Sequence, residues 1–490
     1  MRLTELLRGL KEWSIESSIE AWDREIGGLF TDTRKMEKNG LFICLRGENV
    51  DAHTLVNEAE RMGAVAIVAE QKVDTRLPII LVKDTRKFVG LLASKFYGEP
   101  SKFLKIIGIT GTNGKTTSSY MLASILKNAG KKVGIIGTLG VVYADKHIPA
   151  RLTTPDPIEL HAYFADMLVA GVGYVVMEVS AHALYYKKIE GIYFCACIFT
   201  NFTQDHLDFF KSMKEYKKSK KSLFSRNRCA LAILNGDDET GREIGGIRER
   251  EGAAVVYYGL TTPSDCFAIV TDEGIKGTEC VFNLNDKLYR VRLSMIGEYN
   301  VYNALATATC AEALGCDMGI SAGLGAFKGV TGRLERVLGC KEDIYVDFAH
   351  TPDGLEKSLQ TLKKYCNGRL ICLFGCGGNR DKAKRFVMGE CAAKLCDFAI
   401  LTSDNPRYED PMDIIVEIER GYRKISKRYV IVPDRTKAID YALDFLMEGD
   451  VLLLAGKGGE DYQEVMGIKY PYNDQNVVVK LLQQKGKFLR

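Results

Sequence analysis

Short runs of apolar residues alternate along this chain with stretches in which apolar positions recur every three or four residues. Near the N-terminus the runs are GLFICLRG (40–47), AVAIVAE (64–70) and LPIILVKD (77–84), with stretches such as HTLVNEAERMG (53–63) between them. Continuous apolar runs of this length read as strands covered on both faces, and the periodic stretches as the helices that cover them. From about Phe103 the pattern strengthens through FLKIIGIT, VGIIGTLG (133–140), YVVMEVS (174–180), FCACIFTN (194–201) and LAILNGDD (231–238), most of them ending in polar or Gly-rich turns. This predicts a largely parallel sheet whose ligands gather beyond the carboxyl ends of the strands. Alternation over about 253–296 predicts a local antiparallel addition. From about Glu335, DIYVDFAH, RLICLFGCGG, FAILTSDNPR and DVLLLAGKGG repeat the theme. The expectation is an α/β chain of three domains: a small one over 1–102, a central one over 103–334, and a Rossmann-like one over 335–490.

Length agrees with this, because 490 residues exceed what one hydrophobic core organises. The net charge of +4 is small and its acidic and basic residues are interleaved, which argues against nucleic acid or a membrane surface as partner. The opening segment MRLTELLRGLKEWSIESSIEAWD is charged and amphipathic with no apolar h-region, and no segment approaches the roughly 18 apolar residues a spanning helix needs. The fourteen cysteines include no CxxC pair. Cys195 with Cys197, or Cys372 with Cys376, have the proximity of metal ligands, but scattered cysteines read better as small apolar core residues in a reducing compartment. A cytoplasmic monomer acting on small molecules is expected.

The sharpest local signal is Gly108-Ile-Thr-Gly-Thr-Asn-Gly-Lys-Thr-Thr117, which leaves a strand and opens a helix. Backbone N–H groups and a helix N-terminus then face outward together and cradle an anion. Gly111, Thr112, Asn113, Gly114, Lys115, Thr116 and Thr117 form the candidate ATP-binding loop, with Lys115 reaching the β- and γ-phosphates and the Thr116 hydroxyl on Mg²⁺. The loop departs from GxxxxGK[ST], since position 109 is Ile and the upstream glycine lies one residue early. Such loops serve kinases, switch proteins, motors and ligases alike.

GITGTNGKTT, MEVSAHAL (177–184), TNFTQDHLDFF (200–210), GEYNVYNALA (297–306), GRLERV (332–337) and VDFAHTPDGLE (346–356) together resemble the Mur ligase family in order and spacing. FGCGGNRDKAKR (374–385), SDNPRYEDP (403–411) and AGKGGEDYQ (455–463) narrow the resemblance to members that add diaminopimelate, and TDTRKMEKNGLFICLRGENVDAH (31–53) is similar to the family's uridine-binding domain. The resemblance thus covers nearly the whole chain. It implies a uridine-binding N-terminal domain, a central phosphate-loop ATPase and a C-terminal Rossmann-like domain that binds the amino acid. It also implies ATP-driven phosphorylation of the D-glutamate γ-carboxylate of a UDP-linked precursor, followed by attack of an amine. Two anions must meet in such a reaction, so cations are needed where they do.

By this resemblance Glu178 and His206 join Thr116 as Mg²⁺ ligands. Lys220, fifteen residues after Asp205, matches a lysine that CO₂ converts to an anionic carbamate able to serve a second Mg²⁺. The other lysines nearby (211, 214, 217, 218 and 221) give a solvated basic helix face as the competing reading. Lys115, Lys220, Glu178 and His206 are the expected catalytic set. Asn300 and Asn303 are implied near the adenine, with Arg333, Asp347 and His350 reaching the nucleotide from around the later boundary. Thr33, Thr153, Thr154, Ser180 and Lys188 are implied for the UDP-MurNAc-dipeptide. Arg380, Asn405, Arg407, Gly456 and Glu460 are implied for meso-diaminopimelate, whose distal end needs a guanidinium for its carboxylate and an acid for its ammonium.

The chain departs from the family at several places. Gly459 stands where a histidine is usual, which predicts a looser loop. Tyr186 and Lys188 stand where Gln and Arg are usual, and Thr33 replaces a serine while keeping the hydroxyl. KYPYNDQ (469–475) is assigned no role. A lysine-adding ligase, a folylpolyglutamate synthetase and a nucleotide-dependent switch without ligation remain the alternatives.

Overall fold

The computed structural model describes residues 1–16, 22–47, 50–207, 209–274, 277–339 and 341–487. Parts of four segments read above, at 17–21, 48–49, 208 and 275–276, therefore lie outside the described residues.

The first sheet has the order Trp13–Glu16, Ile79–Val82, Ala64–Ala69, Gly40–Ile43, Gly28–Phe30. Its last four strands are parallel and Trp13–Glu16 pairs antiparallel on the edge. The three apolar runs supply its interior. The two outer strands escape the pattern because they are short, and Trp13–Glu16 is partly exposed along its length.

The central sheet has eleven strands. Its parallel heart runs Ala254–Gly259, Cys229–Asn235, Phe194–Phe199, Lys105–Thr110, Tyr174–Glu178, Val133–Gly137. Period two divides these strands between two cores. Ile107, Ile109, Val176 and Ile198 pack under the helices Lys115–Asn128 and Glu298–Ala313, while Ile106, Val175, Met177 and Phe199 pack with Phe164 of Pro157–Val169 on the other face. The predicted antiparallel addition is present but starts later. Ala254–Gly259 is still parallel, and the antiparallel meander is Cys266–Gly274, Gly277–Leu284, Lys287–Leu293. A second antiparallel extension, Gly140–Tyr143 and Lys146–Ile148, finishes the other edge.

The last sheet runs Glu335–Arg336, Asp343–Asp347, Val451–Ala455, Leu370–Phe374, Phe398–Leu401, Tyr429–Ile431, all parallel except the first. Helices Pro352–Lys363, Ala383–Leu395 and Pro411–Arg423 cover one face, and Arg435–Phe445 and Asp474–Gln484 the other. KYPYNDQ acquires a structural role here. It ends a hairpin, Asn473 caps the final helix by accepting from Asn476 N (3.0 Å), and Asp474 pairs with Arg435 at 2.6 Å with both side chains fully buried. Breaking one partner of such a pair leaves an uncompensated buried charge.

Among the described residues no helix is long and apolar enough to cross a membrane. Cys195 and Cys376 lie in or against the cores, where burial pushes their thiols up to about 11 and about 12 and so disfavours the thiolate that binds metal.

His161 is wholly buried beside Phe164, and neither ring nitrogen completes a hydrogen bond of good geometry. Burial pushes it down to about 4, with the Glu190 backbone opposing only weakly. The unfolded chain therefore binds a proton that the folded chain rejects between about pH 6.5 and 4, and this group withdraws stability as pH falls through that window. Replacing His161 with leucine is expected to remove roughly 2–3 kcal/mol of acid destabilisation between pH 7 and 4. Unfolding midpoints against pH, wild type beside variant, measure it; parallel curves would refute it.

Candidate active site

The carboxyl ends of the central and C-terminal sheets face one cavity of about 1030 Å³. At its floor the strand Lys105–Thr110 ends and the helix Lys115–Asn128 begins. Gly114 makes that turn at φ +87°, and a Cβ there would stand 2.3 Å from Asn303 Oδ1, so no other residue fits without displacing the loop. Lys115 Nζ folds back to donate to the carbonyls of Gly111 (2.9 Å) and Thr112 (2.8 Å). Thr116 Oγ1 donates to Glu178 at 3.0 Å. Glu178, fully buried at the end of its strand, also accepts from Thr138 N (3.0 Å) and Thr138 Oγ1 (3.1 Å).

Thr116 and Glu178 thus present hard oxygen atoms side by side. This suits Mg²⁺, which takes one or two protein oxygens and completes its shell from phosphates and water. Among the described residues no group of three or more His, Cys, Asp or Glu side chains is gathered to hold a metal unaided. His206 enters with φ 55°, its Nε2 3.3 Å from Asp205 and its ring 4.8 Å from that of His182. Burial first, then the charges of His182, Lys115 and Lys220, hold His206 below the usual histidine range against the pull of Asp205. Its ring is 38 % exposed, so water moderates this shift, but the direction keeps a lone pair free for a metal.

Lys220 is not on the solvated face of its helix. It is 1 % exposed, with Nζ 2.6 Å from the Gly111 carbonyl and 4.6 Å from the centre of the Tyr216 ring. Two lysine nitrogens therefore share one carbonyl oxygen. Burial and the charge of Lys115 push Lys220 well down, and burial lowers Lys115 too.

Asn300 donates to Ile296 O (2.8 Å) and accepts from Asn303 (3.4 Å), while Asn303 accepts from Ser118 (3.3 Å) and abuts Gly114, so Asn303 braces the phosphate loop and Asn300 steadies Asn303. Arg333 lies 4.4 Å over the Phe348 ring. Asp347 accepts from Leu334 N (2.5 Å) and Ala349 N (2.6 Å), and burial pushes it up to about 6 against the pull of Arg333. His350 Nδ1 contacts Phe348 O at 2.9 Å, and burial pushes it down to about 4.

On the acceptor side Thr154 Oγ1 donates to Glu178 O (2.8 Å) and receives Ser180 N (3.1 Å), while Thr153 meets Thr138 at 3.2 Å. Ser180 caps its short helix through Ala183 N, and Lys188 pairs with Asp156 at 2.8 Å. Thr33 lies apart, its hydroxyl donating to Glu58 (2.9 Å). Apart from Thr33 and Gly111, whose carbonyl faces the two lysines, every candidate side chain or loop residue named from the sequence lines this cavity.

The C-terminal wall is already paired. Asn405 donates to Glu460 (2.8 Å), and the buried Lys457 donates to both Asn405 Oδ1 (3.0 Å) and Glu460 (3.1 Å). Burial raises Glu460, with Lys457 opposing. Arg407, at φ 52°, donates to Glu464 (3.1 Å) and Gly378 O (2.8 Å). Gly456 and Arg380 complete this side. The loop holding Gly459 is tight rather than loose. A Cβ at Gly459 would come 2.9 Å from Thr331 O, and one at Gly332 only 1.8 Å from Gly459 N, so the two turns touch backbone to backbone where a larger residue would force them apart.

Sequence reasoning missed Thr138, Asp205 and Asp353. Thr138 follows an apolar run, so the rule that ligands gather beyond strand ends would have found it. Asp353, which accepts from Asn113 at 2.7 Å across 240 residues, lies within VDFAHTPDGLE, but nothing in that motif points to the partner.

Family models match three successive segments: "Mur ligase family, catalytic domain" over 25–97, "Mur ligase middle domain" over 109–311, and "Mur ligase, glutamate ligase domain" over 332–458. A UDP-N-acetylmuramoyl-L-alanyl-D-glutamate–2,6-diaminopimelate ligase of Syntrophomonas wolfei is 40 % identical, covering 99 % of this chain and 100 % of its own. One of the same name from Caldanaerobacter subterraneus is 39 % identical with the same coverage. A solved structure of that name superposes with a TM-score of 0.69 at 28 % identity, covering 94 % of this chain and 95 % of the other. With segments matched from the first sheet to the last and full-length relatives this close, the chain belongs to the Mur ligase family.

Proposed function

We propose that this chain is an ATP-dependent ligase of peptidoglycan synthesis. It joins meso-diaminopimelate to the D-glutamate γ-carboxylate of UDP-N-acetylmuramoyl-L-alanyl-D-glutamate, as a monomer in the cytoplasm where ATP and that precursor are made. The observation that carries the reading is that one cavity is lined from both the central and the C-terminal sheets. One wall holds Lys115, Thr116 and Glu178, the next Thr153, Ser180 and Lys188, and the opposite wall Asn405, Arg407 and Glu460. The names borne by the full-length relatives agree with it.

In this scheme a carboxylate oxygen attacks the γ-phosphorus of ATP, the bond to the β-phosphate oxygen breaks, and ADP leaves. The amine then attacks the acyl carbon, phosphate departs, and a proton passes to solvent. Thr116, Glu178 and His206 would hold Mg²⁺, which would supply positive charge to the phosphate oxygens. Lys115 has its donors parked on loop carbonyls, from which they turn to the phosphates. We assign Lys220 as the carbamate-bearing residue and Arg333, Asp347 and His350 as the nucleotide's contacts from the C-terminal side. Thr33 we assign to the uridine end, by its place in the first sheet's domain. The domains we assign as 1–102, 103–334 and 335–490, because the strands of the three sheets fall within 13–82, 105–293 and 335–455.

Phosphate release with the precursor present tests the reading, comparing meso-diaminopimelate, L-lysine and no amino acid. Release that requires both precursor and diaminopimelate is expected. Preference for lysine would overturn the specificity, and release indifferent to both substrates would favour a switch protein.

A further inference from the structure

Three cations follow one another where the helix Ala383–Leu395 begins, and their partners differ. Lys382 reaches Glu409 at 3.3 Å. Arg385, fully buried, pairs with Glu409 (2.9 Å) and Glu417 (3.0 Å). Lys384 lies between them, lines the cavity, is 9 % exposed, and forms no ion pair or hydrogen bond among the described residues. A lysine this buried ordinarily has a carboxylate beside it, because an uncompensated charge out of water is costly. Glu409 and Glu417 are taken by Lys382 and Arg385.

The wall that carries Lys384 meets the phosphate loop directly. Its helix packs on Pro352–Lys363, with Cys391 Sγ donating to Pro352 O at 3.8 Å, and the adjoining Asp353 accepts from Asn113 of the loop at 2.7 Å. Lys384 lines the same cavity as Lys115 and Thr116, from the C-terminal side. Arg407, on the same wall, has its guanidinium held by Glu464.

Resting on the ligase reading above, we propose that Lys384 is a further catalytic residue, binding the terminal phosphoryl group as it passes from nucleotide to carboxylate. Its position supplies from one domain the positive charge that Lys115 supplies from the other. The last part of the charge on the phosphoryl oxygens is therefore neutralised only when both domains meet over the substrate. An anionic oxygen is the ligand, and the other sources on this reaction path are the carboxylates of the incoming amino acid and of the precursor.

The test replaces Lys384 with methionine, keeping bulk and removing charge, and titrates the full-length protein calorimetrically with Mg-ADP and with the Mg β,γ-imido analogue of ATP, precursor present. The imido analogue is expected to bind about tenfold more weakly and ADP unchanged, while kcat falls roughly 100-fold. Lys384→Arg should restore part of both. Unchanged binding of both nucleotides with a raised KM for diaminopimelate or for the precursor would assign Lys384 to a substrate carboxylate and overturn the proposal. Equal losses for both nucleotides with a lowered thermal midpoint would make the residue structural and overturn it too. A wild type that binds neither nucleotide, or releases phosphate without precursor, would instead bring down the ligase reading and this inference with it.

Discussion

Replacing Lys220 with alanine is expected to lower turnover by roughly 10²–10³-fold, with added formate or acetate restoring part of it. Lys220 and Lys115 both place Nζ within 2.9 Å of the carbonyl oxygen of Gly111. Two ammonium groups at one acceptor repel each other, and burial penalises both. The neutral amine is the form this favours at Lys220, and it is the form that attacks CO₂. With CO₂ an N–C bond would form, one proton would leave, and the neutral amine would become an anion beside Lys115. Repulsion would turn into attraction, and the carbamate oxygens would suit Mg²⁺. A competing account makes Lys220 a structural cation that steadies the Gly111 carbonyl. The two accounts predict opposite rescue: an anion replaces a carbamate, whereas methylammonium replaces a structural ammonium. Phosphate-release rates of the alanine variant with each additive decide between them, the thermal midpoint serving as control for the fold. Rescue by methylammonium alone, or a variant as active as wild type, would end the carbamate assignment.

How much of this is readable from the chain depends on what each residue's neighbours share with it in sequence. Strands such as Leu370–Phe374 and Val451–Ala455 are buried residue by residue, so their composition alone betrays them. Gly28–Phe30 has three residues and Trp13–Glu16 only partial burial, and neither leaves a pattern. Ala254–Gly259 reads with the antiparallel region because its exposure changes along the strand, although its hydrogen bonds are parallel. Partner direction is a tertiary fact that a half-covered strand does not record. In the site, the phosphate loop is legible because its glycines and lysine are contiguous. Lys220 is legible only through family resemblance, since five lysines around it have the same local chemistry and burial alone singles it out. Lys384 hides in the same way within NRDKAKR. The glycine at 459 suggests slack, yet its meaning is contact with Gly332, 127 positions away in the chain.

Arg407→Ala is expected to raise the KM for diaminopimelate by roughly 30- to 1000-fold, the equivalent of about 2–4 kcal/mol, while the KM values for ATP and precursor stay nearly unchanged. The guanidinium does not wait unpaired, as the simplest account of specificity against lysine would have it. It is held by Glu464 and the Gly378 carbonyl, and the backbone at φ 52° is tied by Arg407 N to Glu464 O (3.1 Å) and by Met466 N to Arg407 O (2.7 Å). Being held fixes its direction, so binding a distal carboxylate spends little rotamer entropy. The substrate's distal ammonium has Glu460 on the same wall, itself steadied by Lys457 and Asn405. L-Lysine carries the ammonium without the carboxylate and would gain only half of this arrangement. Truncation of Arg407 does two things: it removes the carboxylate's partner, and it leaves Glu464 unpaired where it repels that carboxylate. Pairing the change with Glu464→Gln separates them. The double variant should recover the part due to repulsion and no more, and its preference for diaminopimelate over lysine should remain low. A double variant restored to wild-type KM would mean that Arg407 serves only to neutralise Glu464. Equal rises in the KM values for precursor and diaminopimelate would remove Arg407 from the amino-acid site.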